Sequence, residues 1–165
     1  PLLHDLLAGS VDVVVGRVGG RALQLPLNYQ VLYTEPVCFV ARPDHPLAKY
    51  PLLTWHDLAN WRWIVWPTGT PIRISIDNAL VDNGVMLPEN IIESASINVS
   101  TNLLQSSNMI SILSLRLAQR YAAQGQLAIL NLPKIEQKGS VGVFWRNNET
   151  PTTALNRFLY YLAQA

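Results

Sequence analysis

The most constraining feature of this chain is the run Val11-Asp12-Val13-Val14-Val15, closed by Gly16 and entered from a helical segment. Leu3, Leu6 and Leu7 fall at helical spacing, and Gly9 supplies a stop. β-Branched residues lose rotamer freedom in a helix but pack well on a pleated surface. A short continuous apolar run of this kind predicts a strand buried on both faces of a parallel sheet. Helix followed by buried strand is the pattern of α/β folds. A chain that opens at Pro1, within a helix and without a methionine, reads as a segment cut from something longer.

The rest of the chain repeats the pattern. Val31–Tyr33 and Val37–Ala41 read as strands separated by Glu35-Pro36, and Arg42-Pro43-Asp44-His45-Pro46 as a turn. Thr54 caps a short helical turn over Trp55–Leu58. Arg62–Trp66 reads as a strand, followed by the loop Pro67-Thr68-Gly69-Thr70-Pro71. Pro71 opens a helix whose apolar face is Ile72, Ile76, Ala79 and Leu80, and Asn83-Gly84 ends it. Ile91-Ile92 is a short strand, and Ser96 or Asn98 caps a helix carrying Val99, Leu103 and Leu104. Met109–Leu113 is a strand, Ser114 caps a helix with Leu117 and Tyr121, and Gly125 ends that helix. Leu127–Leu130 and Val141–Trp145 are strands. Thr150 and Pro151 open a last helix striped by Leu155, Phe158, Leu159 and Leu162.

Composition removes several functional classes. Of 165 residues 49% are hydrophobic and 14% charged, which excludes a disordered chain or a coiled coil. The net charge is +1, and the three lysines (Lys49, Lys134, Lys138) and nine arginines are scattered. A DNA-reading surface concentrates such residues, so this segment is not expected to grip DNA on its own. No apolar run is long enough to span a bilayer, and no signal peptide is visible. Cys38 sits in Val37-Cys38-Phe39-Val40 and reads as a small buried hydrophobe.

No catalytic or metal-binding motif is present. There is no G-x-S-x-G, H-E-x-x-H, C-x-x-C or P-loop, and His4, His45 and His56 lie far apart. The expectation is no catalytic residue, no metal and no cofactor. The most suggestive local feature is Thr68-Gly69-Thr70 with Arg73, where a strand enters a loop and the loop enters a helix. Backbone N–H groups, two hydroxyls and the guanidinium could converge there on a carboxylate or other small anion. An ordinary capped strand-to-helix connection is the equal alternative. Ser96, Asn98 and Ser100 form a second polar group at a helix start, for which plain N-capping is the stronger local reading. Gly16, Arg17 and Val18 follow the valine run, and Arg17 reads either as cleft-facing or as a solvated surface arginine. Trp66 ends its strand beside the threonine loop and is placed to wall a pocket, whereas the other tryptophans read as core.

Taken in order, these stretches resemble the effector-binding domain of LysR-type transcriptional regulators. Leu6-Leu7-Ala8-Gly9-Ser10-Val11-Asp12-Val13-Val14-Val15-Gly16, Arg42-Pro43-Asp44-His45-Pro46-Leu47-Ala48, Leu53-Thr54-Trp55-His56-Asp57-Leu58 and Pro67-Thr68-Gly69-Thr70 carry the resemblance across the chain. It implies a type II periplasmic-binding-protein-like fold of two α/β, Rossmann-like lobes with a ligand cleft between them. Residues 1–35 plus 140–165 would form one lobe and 36–139 the other. The resemblance also implies a cytoplasmic regulator that takes a small-molecule effector and acts as a homodimer or homotetramer. The threonine loop and nearby arginines favour a carboxylate as that effector, with sugars and phenols as the open alternatives. DNA would be bound only through an N-terminal winged helix-turn-helix outside this chain, with no membrane partner. By position, Gly16, Arg17, Val18, Thr68, Gly69, Thr70, Ser96, Asn98 and Ser100 would meet the effector.

Two departures stand out. Ser111-Ile112-Leu113-Ser114-Leu115 replaces the family's usual apolar run, so the resemblance does not define the back wall of the pocket. The strand, helix and strand that normally precede the Leu6–Gly16 segment are absent, implying an incomplete first lobe with an exposed sheet edge. A solute-binding protein of a transport system is the alternative on the same fold. An enzyme is the least supported reading, because no acid–base pair or nucleophile has a motif.

Overall fold

The computed structural model describes residues 2–132, 140–147 and 152–162. In chain order the elements are α1 (Leu2–Leu7), β1 (Val14–Val18), β2 (Leu27–Thr34), β3 (Val37–Ala41), α2 (Trp55–Ala59), β4 (Trp63–Val65) and α3 (Pro71–Asp82). They continue with β5 (Ile91–Glu93), α4 (Ile97–Gln105), β6 (Ile110–Ser114), α5 (Leu115–Ala123), β7 (Ala128–Ile129), β8 (Ser140–Arg146) and α6 (Thr153–Leu162). The chain divides into two compact units, Pro1–Thr34 with Gly139–Ala165, and Glu35–Lys138.

The second unit is built on a five-stranded sheet in the order β5-β4-β6-β3-β7. β4 is parallel to both β5 and β6, while β3 runs antiparallel to β6 and β7. The chain leaves β4 through α3 to β5 on one side, then returns through α4 to β6 on the other. Such a reversal puts the two crossover helices on opposite faces of the sheet. The cores agree. One gathers Ile72, Ile76, Ala79 and Leu80 of α3 with Phe39, Trp63, Val65 and Ile112. The other gathers Leu104 and Ala118 with Val40, Ile64 and Leu113. Along β4 the side chains alternate between these cores, as the two-residue period of a strand requires. The α3 face has the four residues its helical spacing predicts.

Local chemistry sets the ends of these elements. Thr54 caps α2: its backbone N–H and its hydroxyl both donate to Asp57 Oδ2, each at 2.7 Å. Ser96 Oγ caps α4 by accepting from Val99 N at 3.4 Å. Ser114 occupies the cap position of α5 but makes no capping bond with its side chain. Thr150 and Pro151, expected to open the last helix, lie outside the described residues.

The first unit holds a three-stranded sheet in the order β1-β8-β2, with both pairings antiparallel. This corrects the expectation for the valine run. The strand starts at Val14 rather than Val11, is not parallel, and is covered on one face only. Val14 packs with Leu6, Ala22 and Phe144, whereas Val15 is 47% exposed. Arg146 holds the preceding turn, donating from Nη1 to Leu6 O at 3.0 Å and to Val11 O at 2.8 Å, and pairing with Asp12 at 3.4 Å. The stripe of α6 is likewise less buried than its periodicity predicts: none of its residues is fully buried, and Phe158 is 42% exposed.

Gly142, in the middle strand of this sheet, has no room for a side chain. A Cβ there would lie 2.6 Å from Gln30 O and 2.6 Å from Val18 Cγ2. Gly142→Ala is therefore expected to destabilise the first unit by about 1–3 kcal/mol, read as a lower urea midpoint. Gly16, opposite it in β1, has open space around its Cβ direction, so Gly16→Ala should cost far less.

His45 is the one fully buried histidine. Its Nδ1 accepts from Leu47 N at 3.1 Å, so the ring proton sits on Nε2, which faces Asn108 O at 3.2 Å. Trp61 lies against the ring at a centroid distance of 4.4 Å. Burial holds this imidazole below its ordinary pKa of 6.5. The stability of the neutral ring is therefore complete above about pH 6.5, and is lost as pH falls below that toward the lowered folded value. Between pH 7.5 and pH 5, the wild-type urea midpoint should fall more than that of His45→Gln.

Candidate functional site

Three parallel strands, β5, β4 and β6, end side by side in the second unit. In open α/β sheets small molecules bind beyond the carboxyl ends of such strands, near the point where the strand order reverses. The loop Pro67–Thr70 leaves β4 there, and Ser94–Ser96 leaves β5 and enters α4. Ser94 N donates to Val65 O at 2.9 Å, tying the two exits together. Gly69 turns the loop at φ +83°, a conformation that favours glycine. Thr68, Gly69, Ser96 and Asn98 are exposed, and Thr70 is half-buried. Ser100, on the first turn of α4, is 5% exposed. The structure thus brings Thr68, Gly69, Thr70 and Ser96 into one region, with Asn98 and Ser100 on the adjoining helical turn.

Arg73 does not stand free at this loop as its sequence position suggests. Nε donates to Asp77 Oδ1 at 2.8 Å, and Nη1 donates to Glu93 Oε1 at 2.9 Å and to Trp66 O at 3.2 Å. Its side chain is 11% exposed. Burial alone would lower the pKa of this guanidinium, but hydrogen bonds and opposite charges from Asp77 and Glu93 outweigh that effect and raise it. Thr68 Oγ1 donates to the same Glu93 Oε1 at 3.1 Å, and Thr70 Oγ1 donates to Pro67 O at 2.8 Å. Arg73 therefore binds α3, the end of β4 and the end of β5 together. Asp77 and Glu93 carry this link, and sequence reasoning missed both. An Arg–Asp spacing of four on a helix was the available sign for Asp77; only strand pairing reveals Glu93.

Trp66 is also more structural than expected. Its indole N–H donates to Ile112 O at 2.9 Å, and the ring packs on the α3-side core. Gly16, Arg17 and Val18 lie within β1, paired to Gly142, Val141 and Ser140, not in a loop beyond it. They belong to the first unit, apart from the Thr68 group in sequence and in unit. Cys38 lies in β3, where burial pushes the thiol up to about 12, far from a reactive thiolate. Among the described residues no cluster of three or more His, Cys, Asp or Glu could hold a metal. No helix among them is long and apolar enough to cross a membrane.

The family model described as the LysR substrate binding domain matches residues 2–165. The chain belongs to the LysR substrate-binding domain family. Its curated relatives are regulators. It is 30% identical over 145 residues to the HTH-type transcriptional regulator GbpR of Azospirillum brasilense, covering 87% of this chain and 42% of that protein. It is 29% identical over 164 residues to the HTH-type transcriptional regulator PcaQ of Agrobacterium fabrum, covering 99% of this chain and 53% of that protein. The LysR-family chain thus spans about half the length of these relatives or less. Among solved structures, the Synechocystis CcmR regulatory domain in complex with 2-PG superposes with a TM-score of 0.84 at 22% identity, covering 99% of this chain and 77% of that one. The effector-binding domain of QuiR in complex with shikimate gives 0.83 at 16% identity, covering 99% and 75%. The fold is the type II periplasmic-binding-protein-like fold of LysR effector-binding domains.

The Arg73 link is expected to matter to the stability of this LysR-family domain as much as to any ligand. Arg73→Ala should lower the unfolding free energy by about 1–2 kcal/mol, the value for charged hydrogen bonds reduced because Asp77 and Glu93 are nearly half exposed. Urea unfolding at 0.15 M and 1 M salt checks it, with the deficit shrinking at high salt.

Proposed function

We propose that this chain is the effector-sensing part of a LysR-type DNA-binding transcriptional regulator, and that it binds a small organic metabolite at the Thr68–Thr70 loop and the start of α4. The observation that carries this reading is the joining of two strand exits at the carboxyl edge of a parallel sheet, where Ser94 N bonds Val65 O and Thr68 bonds Glu93 beside the α4 start that carries Ser96 and Ser100. The family match and the regulators GbpR and PcaQ among its relatives support a regulatory role, and the two neighbours in complex with 2-PG and shikimate support a small-molecule one.

The remaining parts of the proposal concern the whole protein. Residues 1–35 with 140–165 and residues 36–139 act as the two regulatory lobes. A winged helix-turn-helix outside this chain reads DNA in the cytoplasm. The regulator works as a homodimer or homotetramer. Binding shifts the regulator between promoter-bound states by its difference in affinity for them. No turnover accompanies binding. Gly16, Arg17 and Val18 are proposed as effector contacts from the first unit, and are tested separately from the Thr68 group.

A thermal-shift screen of carboxylates, aromatic acids and sugars on the full-length regulator tests the reading. At least one compound should raise Tm saturably and remain chemically unchanged after incubation. Ser100→Ala and Thr68→Ala should each weaken that compound's affinity about 5–20-fold, the loss of one to two hydrogen bonds. A regulator that shifts with no compound, and whose Ser100→Ala and Thr68→Ala variants control their promoter normally, would end this reading.

A further inference from the structure

The charges around the loop run opposite to what the sequence invites. Among the described residues Arg73 is the one cation bonded within this cluster, and it serves two carboxylates, Asp77 and Glu93. One positive and two negative charges leave an excess negative charge beside Thr68. Glu93 accepts twice on Oε1, from Arg73 Nη1 and Thr68 Oγ1, while its Oε2 has no partner among the described residues. Its side chain is 44% exposed. The hydroxyl protons of Thr68 and Thr70 point inward, onto Glu93 and onto Pro67 O. A hydroxyl has one proton, so toward a ligand these two threonines offer lone pairs only. The loop and the α3 start keep backbone N–H donors, which are neutral and serve a hydroxyl oxygen as well as a carboxylate oxygen.

We propose that Glu93 sets effector specificity at this site, selecting a neutral hydroxyl-rich molecule, a sugar or cyclitol, over its carboxylate counterpart. The inference rests on the effector reading given above. A hydroxyl both donates and accepts. It can therefore use the free Glu93 oxygen, the threonine lone pairs and the backbone donors together. A carboxylate only accepts. It would leave the Glu93 oxygen and the threonine lone pairs unmatched, and would add a like charge beside an unpaired carboxylate oxygen. Rejection built from repulsion of this kind is how many sites obtain selectivity beyond simple fit.

The test uses the full-length regulator and matched probe pairs: glucose and glucuronate, galactose and galacturonate, myo-inositol and quinate. Calorimetry and thermal shift are run on the wild type, E93Q and D77N. For at least one pair the neutral member should bind the wild type about tenfold or more tightly than the acid. E93Q removes the charge but keeps an acceptor, and should shrink that preference by about tenfold, chiefly by admitting the acid. D77N removes the carboxylate that Thr68 does not bond, and should shrink the preference less than E93Q does. Urea midpoints of all three proteins control for lost folding.

Acids that bind the wild type as well as or better than their neutral partners would overturn the proposal. So would an E93Q protein, folded, whose preference is unchanged, or a D77N protein that changes it equally. If no probe binds while the wider screen finds an aromatic or carboxylate effector, this specificity claim falls and the sensing role stands. If neither finds a ligand, both fall.

Discussion

Strand β4 is the constraint on which the second unit depends. Trp63, Ile64 and Val65 are each no more than 2% exposed, so three successive side chains are buried on alternating faces. A strand buried this way needs a helix layer on both sides, and the chain supplies them by leaving β4 through α3 to β5 and returning from β5 through α4 to β6. That reversal also decides where a polar site can form. The loop after β4 and the segment after β5 emerge at the same edge, and Ser94 bonds to Val65 across them. The polar groups at this edge are a consequence of how the apolar core is closed.

Within that edge, one guanidinium organises the rest. Arg73 is largely buried, and a buried cation needs partners. It finds them on its own helix, at the end of the neighbouring strand and on the backbone of Trp66. The arrangement turns a residue that looks like an anion receptor into a brace. Its positive charge is answered inside the protein, so the charge the loop presents outward is that of Glu93. Local sequence position and electrostatic role diverge here because the strand carrying Glu93 arrives beside the loop only through parallel pairing.

The first unit depends on a different kind of closeness. Its three strands pack around Gly142, where neighbouring atoms occupy the space a Cβ would need. Arg146 then fixes the helix-to-strand turn by donating to the Leu6 carbonyl, which also accepts from Gly9 N, and to the Val11 carbonyl further along the turn. Both features belong to a single strand, β8, which comes from the far end of the chain and lies between β1 and β2. Neither is visible from the residues near Val14, because their partners lie more than a hundred residues away.

Much of the fold was legible in the residues. The glycine stops at Gly9, Gly84 and Gly125 all occur at positive φ, and the α3 face of Ile72, Ile76, Ala79 and Leu80 is the buried one. Caps, glycines and periodic apolar faces are local, so the sequence alone determines where helices start, stop and turn their apolar sides. The family resemblance was legible for the same reason, as an ordered series of local motifs. Tertiary structure alone decided the rest. The Val11–Val15 run begins its strand three residues late and shows Val15 to solvent, because burial depends on what packs against a strand and not on its own composition. Trp66 and Arg73 are braces because Ile112 and Glu93 reach them from other strands. Side-chain chemistry was written in the sequence; which charge answers which was decided by strand order, since electrostatic partners are set by distance in space.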